Sequence, residues 1–116
     1  ARATCGGVLT HVRYFYGRMV AVKRRDDDSL QGDREFVNEV DLLSRACHPN
    51  LVELVGYCRE ARQHLLVYEF MPNGTVREHL YDQMGQPLGR LRWLTRIQIA
   101  LGAARGEFHC EQVRCG

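Results

Sequence analysis

No stretch of the 116 residues approaches the roughly 20 consecutive apolar positions that a membrane-spanning helix needs, so the sequence carries no recognisable bilayer anchor. The opening Ala1-Arg2-Ala3-Thr4-Cys5 lacks the apolar segment of a signal peptide and also lacks an initiator Met, the expectation for a fragment of a longer product. Cys-x-x-Cys pairs are missing as well. The five cysteines are odd in number and irregularly spaced, which argues against a disulfide framework and for reduced intracellular thiols. Cys47 with His48, Cys58 with His64, and His109 with Cys110 and Cys115 fall close in sequence but without zinc-site spacing, so no metal site is read from them. A formal charge of only +2, with the basic residues dispersed, argues against a nucleic-acid binder. Composition is otherwise ordinary for a globular chain, at 45% hydrophobic and 26% charged, and the length allows one domain or part of one.

Two charges stand where packing alone would not put them. In Val20-Ala21-Val22-Lys23, period-two alternation places Lys23 on the face of Ala21 at the end of a strand. In the segment Asp33 to Leu43, Phe36, Val40 and Leu43 recur at i, i+4 and i+7, the buried stripe of a helix. Glu39 falls on that stripe at i+3. A carboxylate removed from water is costly unless paired, and Lys23 is the nearest plausible partner in sequence.

The remaining pattern supplies the frame. Val12, Tyr14 and Tyr16 alternate with Arg13 and Phe15 as a strand, and Gly17-Arg18 turns into Met19–Lys23. The Asp26-Asp27-Asp28 run reads as a solvated loop, and Asp33 as the cap of a helix ending near Ala46 before His48-Pro49-Asn50. Leu51–Cys58 and His64–Glu69 read as an antiparallel hairpin across the polar segment 59–63. Met71-Pro72-Asn73-Gly74 is a turn, Thr75 to Glu78 a capping box opening a short helix to about Tyr81, and residues 85–89 a loop. From Trp93, read as a packing residue, Leu94, Ile97, Leu101 and Ala104 mark an amphipathic helix. Periodicity is lost after Gly106, so the final ten residues are not expected to pack.

In this order, Val20-Ala21-Val22-Lys23, Asn38-Glu39-Val40, His48-Pro49-Asn50-Leu51-Val52, Gly56-Tyr57-Cys58, the run Leu65 to Thr75 and the run Ile99 to Gly106 resemble a protein kinase domain, and more narrowly the plant receptor-like Ser/Thr kinases. The resemblance covers about Gly17 to Gly106. It implies an α+β fold: an amino-terminal lobe of antiparallel sheet plus one helix over about 1–69, a hinge at 69–74, the first helices of an incomplete carboxyl-terminal lobe at 75–106, and a divergent tail at 107–116. It further implies that Lys23 holds the α- and β-phosphates of ATP and that Glu39 pairs with it. Ala21 would lie over the adenine, Tyr68 would be the gatekeeper, and the Glu69 carbonyl and Met71 amide would bond the adenine edge. Leu43 and Leu54 would belong to the hydrophobic spine.

Departures from the family pattern limit that reading. Counting back from Gly17, only Gly7 keeps the register of the glycine-rich phosphate loop, with Thr4 and Arg2 in place of its earlier glycines and Gly6-Gly7 as a shifted remnant. The catalytic loop, the Asp-Phe-Gly magnesium motif and the activation segment do not occur in the 116 residues, so no catalytic base or metal ligand is assigned. The expectation is therefore weak ATP binding without catalysis, with Mg²⁺ and a protein substrate engaged only in the complete family fold. The alternatives are a pseudokinase-like interaction module that docks on another kinase domain, or a decayed fragment. The resemblance places the chain inside the cell, on the cytoplasmic side of the plasma membrane.

Overall fold

The computed structural model describes residues 2–5, 8–15, 17–25, 30–60 and 63–116, with side chains from Gly17 onward. The chain forms β1 (Arg2–Cys5), β2 (Val8–Phe15), β3 (Arg18–Arg25), α1 (Leu30–Arg45), β4 (Leu54–Glu60), β5 (Gln63–Glu69), α2 (Val76–Leu80) and α3 (Trp93–Cys115). The five strands make one antiparallel sheet in the order β1-β2-β3-β5-β4. Strands β3 and β5 are neighbours although α1 and β4 intervene in sequence, and this crossover brings α1 back onto the sheet. The expected strand through Tyr14 and the hairpin of β4 and β5 are both present. The glycine remnant at 6–7, Tyr16, the Asp26–Asp28 run and residues 61–62 lie outside the described residues.

The core is small and sits between α1 and the sheet. Phe36 is 1% exposed and Leu66, at the centre of β5, is 0% exposed. Burying two such side chains contributes about 1.5–3 kcal/mol each. The Phe36 ring stacks on His64 at 4.7 Å and meets Tyr57 edge-on at 6.4 Å. The i, i+4, i+7 stripe is thus anchored by Phe36, while Val40 and Leu43 are half-buried.

Three expectations need correction here. Helix α1 begins at Leu30, so Asp33 lies inside the first turn instead of capping it. Its carboxylate is drawn away to the sheet, accepting from Arg59 Nη2 at 2.8 Å and lying 3.3 Å from His64 Nε2. Helix α3 does not fade after Gly106 but runs to Cys115. Gly106 is buried because its bare Cα lies against Asn50 and Leu51: an added Cβ would meet the Asn50 carbonyl oxygen at 2.9 Å. Beside it, His109 packs on His48 with ring centroids 5.0 Å apart, and Cys110 is buried. The face that packs is therefore not the apolar stripe. Leu94, Ile97 and Leu101 are exposed, and Trp93, at 73% exposure, is not a packing residue among these contacts.

The turn chemistry agrees with the sequence. Gly74 adopts φ 73°, and its amide donates to the Met71 carbonyl. Thr75 then caps α2 in a reciprocal capping box with Glu78. The bonds from Thr75, the backbone amide first, hold the Glu78 carboxyl below its ordinary pKa. Residues 85–89 form the expected loop, closed by a bridge between Tyr81 and Pro87.

Candidate functional site

The β3–β5 register assembles the site. Ala21 pairs with Tyr68 and Lys23 with Leu66, and cross-strand partners share a face. Ala21, Lys23 and Tyr68 therefore stand together on one face of the sheet, as the resemblance implies for a nucleotide cleft. Glu39 arrives from α1. Its Oε2 lies 3.7 Å from Lys23 Nζ, with the two side chains 25% and 28% exposed. The pairing inferred from two misplaced charges is present. At that separation it is an ion pair without a tight hydrogen bond.

The second oxygen of the same carboxylate has its own donor. The Tyr68 hydroxyl donates to Glu39 Oε1. Burial, followed by the hydrogen bond to Glu39 and the negative charge behind it, raises the Tyr68 pKa, so the phenol stays protonated at physiological pH. Tyr68 thus orients Glu39. That role had no signal in the sequence, because only the sheet register puts the hydroxyl within reach of α1.

Glu69 is the last residue of β5, and Met71 lies two residues beyond it. Glu69 is tied to the β4 entry twice, its amide donating to the Glu53 carbonyl at 3.0 Å and its Oε1 accepting from the Glu53 amide at 2.9 Å. The strand end that leads into the connection is thereby held, and Met71 beyond it is exposed. Leu43 and Leu54 line one open groove between the end of α1 and β4.

Sequence reasoning passed over one further pair. Arg25 Nη2 donates to Glu35 Oε2 at 2.9 Å. The signal was available: Arg25 is two residues after Lys23 on the same strand face, and Glu35 is four residues before Glu39 on the same helix face. No three His, Cys, Asp or Glu side chains converge as a metal site among the described residues. No described helix is long and apolar enough to cross a membrane.

An antiparallel sheet carrying a single helix, with a strand lysine facing a helix glutamate, is the amino-terminal architecture of a protein kinase. The chain belongs to that family: the description "protein tyrosine and serine/threonine kinase" matches residues 5–115. Among its relatives in Arabidopsis thaliana, it is 51% identical over 96 residues to the probable serine/threonine-protein kinase PBL21, covering 81% of this chain and 25% of the relative. It is 49% identical over 100 residues to the serine/threonine-protein kinase CDG1, covering 86% and 23%. With the serine/threonine-protein kinase PBS1 the identity is 52% over 90 residues, covering 78% and 20%. The chain spans a quarter or less of the length of these curated relatives.

Proposed function

We propose that this chain holds ATP weakly through Lys23, positioned by Glu39, and that these 116 residues do not themselves transfer a phosphoryl group. The carrying observation is the convergence of Lys23, Glu39, Ala21 and Tyr68 on one face of the β3–β5 pair. Lys23 supplies a point charge to the α- and β-phosphates, and Ala21 leaves space for the purine ring. The Glu69 carbonyl and Met71 amide would bond the adenine edge. When a complete catalytic apparatus is present, Mg²⁺ neutralises charge on the phosphates; no residue described here is assigned to it.

In this reading the segment up to about residue 69 is the amino-terminal lobe, 69–74 the hinge and 75–106 the first helices of the second lobe. Of the divergent segment 107–116, residues 107–115 prolong the last helix. The parent activity is phosphorylation of protein Ser/Thr in receptor-type signalling on the cytoplasmic side of the plasma membrane. The relatives' names support the Ser/Thr kinase activity alone, and the signalling role and location rest on the family resemblance.

A second reading has its own support. The exposed row Leu94, Ile97 and Leu101 beside Trp93 is a surface suited to being covered, as in a non-catalytic interaction module. Nucleotide titration separates the two. MgATP is expected to raise the melting temperature of the purified chain, and Lys23→Ala to abolish the shift. Equal melting curves with and without nucleotide would sink the binding reading. Phosphotransfer from this chain after removal of contaminating kinases would overturn the claim of inactivity.

A further inference from the structure

Two cations of β3 face two carboxylates of α1. The step from Lys23 to Arg25 advances about 6.6 Å along a strand, and the step from Glu39 back to Glu35 covers about 6 Å along a helix. These near-equal steps let both rungs form at once: Lys23 to Glu39 at 3.7 Å and Arg25 to Glu35 at 2.9 Å. The rungs are unequal. The first is too long for a direct hydrogen bond. The second is a charge-assisted hydrogen bond made by an arginine whose side chain is only 18% exposed. Glu35 is held from its other side too, its Oε1 accepting from Gln31 Nε2 at 3.2 Å.

Arg25 carries one more unusual feature. Its Nη1 is buried and has no hydrogen-bond partner among the described residues. Leaving a guanidinium nitrogen unpaired in the interior is unfavourable, and such groups are rare in folded chains. Arg25 also lines the same cavity of about 610 Å³ as Glu35 and Glu39. A donor is thus held in reserve beside the carboxylates that position α1.

We propose that Arg25 is a positioning residue for the Lys23–Glu39 pair: by holding Glu35 one helical turn ahead of Glu39, it keeps α1 seated on β3 while Lys23 is shared with nucleotide phosphates. The proposal rests on the nucleotide-binding reading of Lys23. A pair shared with a ligand weakens as a fastening for the helix, because the ligand competes for the same ammonium, and the Tyr68 hydroxyl is then left to hold Glu39 on its own. Arg25 fastens α1 without facing that competition. Lysine at 25 keeps one charged bond to Glu35, whereas methionine keeps the aliphatic bulk and none of the charge.

The test uses the 116-residue chain and MgATP as the probe, reading amide hydrogen exchange of α1 residues 34–43 against β5 as an internal standard. In wild type, MgATP leaves α1 protection unchanged. In Arg25→Met, α1 exchange rises about tenfold while β5 holds, the scale of one lost charge-assisted bond, and MgATP raises it further. Arg25→Lys restores most of the protection and the wild-type affinity for MgATP. The exchanged pair Arg25→Glu with Glu35→Arg restores the protection as well. If wild type binds MgATP but Arg25→Met matches it in affinity and in α1 exchange, the Arg25 proposal alone falls. Equal acceleration in α1 and β5, unrescued by lysine, would reduce Arg25 to general packing and also overturn it. If wild type binds no MgATP, the nucleotide reading falls and removes the ligand from this proposal.

Discussion

Tyr68 and Lys23 hold the same carboxylate from two sides, the phenol donating to Oε1 of Glu39 and the ammonium lying 3.7 Å from Oε2. The stronger claim on Glu39 in the resting chain is therefore the tyrosine's. A carboxylate already oriented by a neutral donor stays in place when the lysine turns towards another anion.

Replacing Tyr68 by Phe removes that donor and leaves Glu39 to Lys23 alone. The expected loss is about 1.5–3 kcal/mol for a hydrogen bond to a charged group, read as a lower urea midpoint at neutral pH. An unchanged midpoint would show that the bond contributes nothing.

The same variant carries a pH signature. The folded-state pKa of Tyr68 is raised above the ordinary value of 10.0, chiefly by burial. Its contribution to stability is then fully present below about pH 10 and is lost as pH rises beyond it, because the unfolded chain releases the phenolic proton first. The wild-type advantage over Tyr68→Phe should shrink from pH 9 to pH 11. A constant difference across that range would contradict the burial argument.

Gly106→Ala tests the docking of α3. In an open helix this change would gain about 1 kcal/mol of helix propensity. Here the new Cβ would lie 2.9 Å from a backbone carbonyl oxygen, which cannot swing aside as a side chain can. Overpacking of this kind costs about 1–3 kcal/mol, so net destabilisation is expected in denaturant unfolding. A midpoint at or above wild type would place α3 elsewhere.

Thr75→Ala removes one half of the capping box. The loss should be about 1 kcal/mol, seen as faster amide exchange confined to residues 76–81. The Glu78 carboxyl is held below its ordinary pKa by the Thr75 amide and then by its hydroxyl. That contribution is present above the unfolded carboxyl pKa and disappears as pH falls through the lower folded value. Protection of the α2 amides, taken relative to their intrinsic exchange rates at each pH, should therefore fall under acid in wild type and less so in the variant.

The exposed apolar row on α3 predicts concentration-dependent association. Leu94→Glu with Leu101→Lys should reduce it in sedimentation while leaving the circular dichroism of the chain unchanged. Association that persists at the same concentration would assign it to another surface.

Local patterns in the sequence were sufficient for β3, α1, the β4–β5 hairpin, the Gly74 turn and the Thr75 cap, because each is decided within a few residues by alternation, helical period or positive φ. Lys23 and Glu39 could be matched for the same reason: each broke its own local pattern, and a buried charge demands a partner. Asp33, α3 and Tyr68 were decided elsewhere. Asp33 has the chemistry of a cap, but Arg59 and His64 lie across the hairpin, and contacts formed over 26 and 31 positions leave no local trace. The end of α3 lacks an apolar stripe because it docks through a missing side chain at Gly106 and a histidine contact, neither of which registers as periodicity. The sequence by itself determined which charges needed partners and which family the chain resembles. Only the tertiary structure decided that Glu39 is shared between Lys23 and Tyr68, because strand register and helix placement set which donors reach one carboxylate.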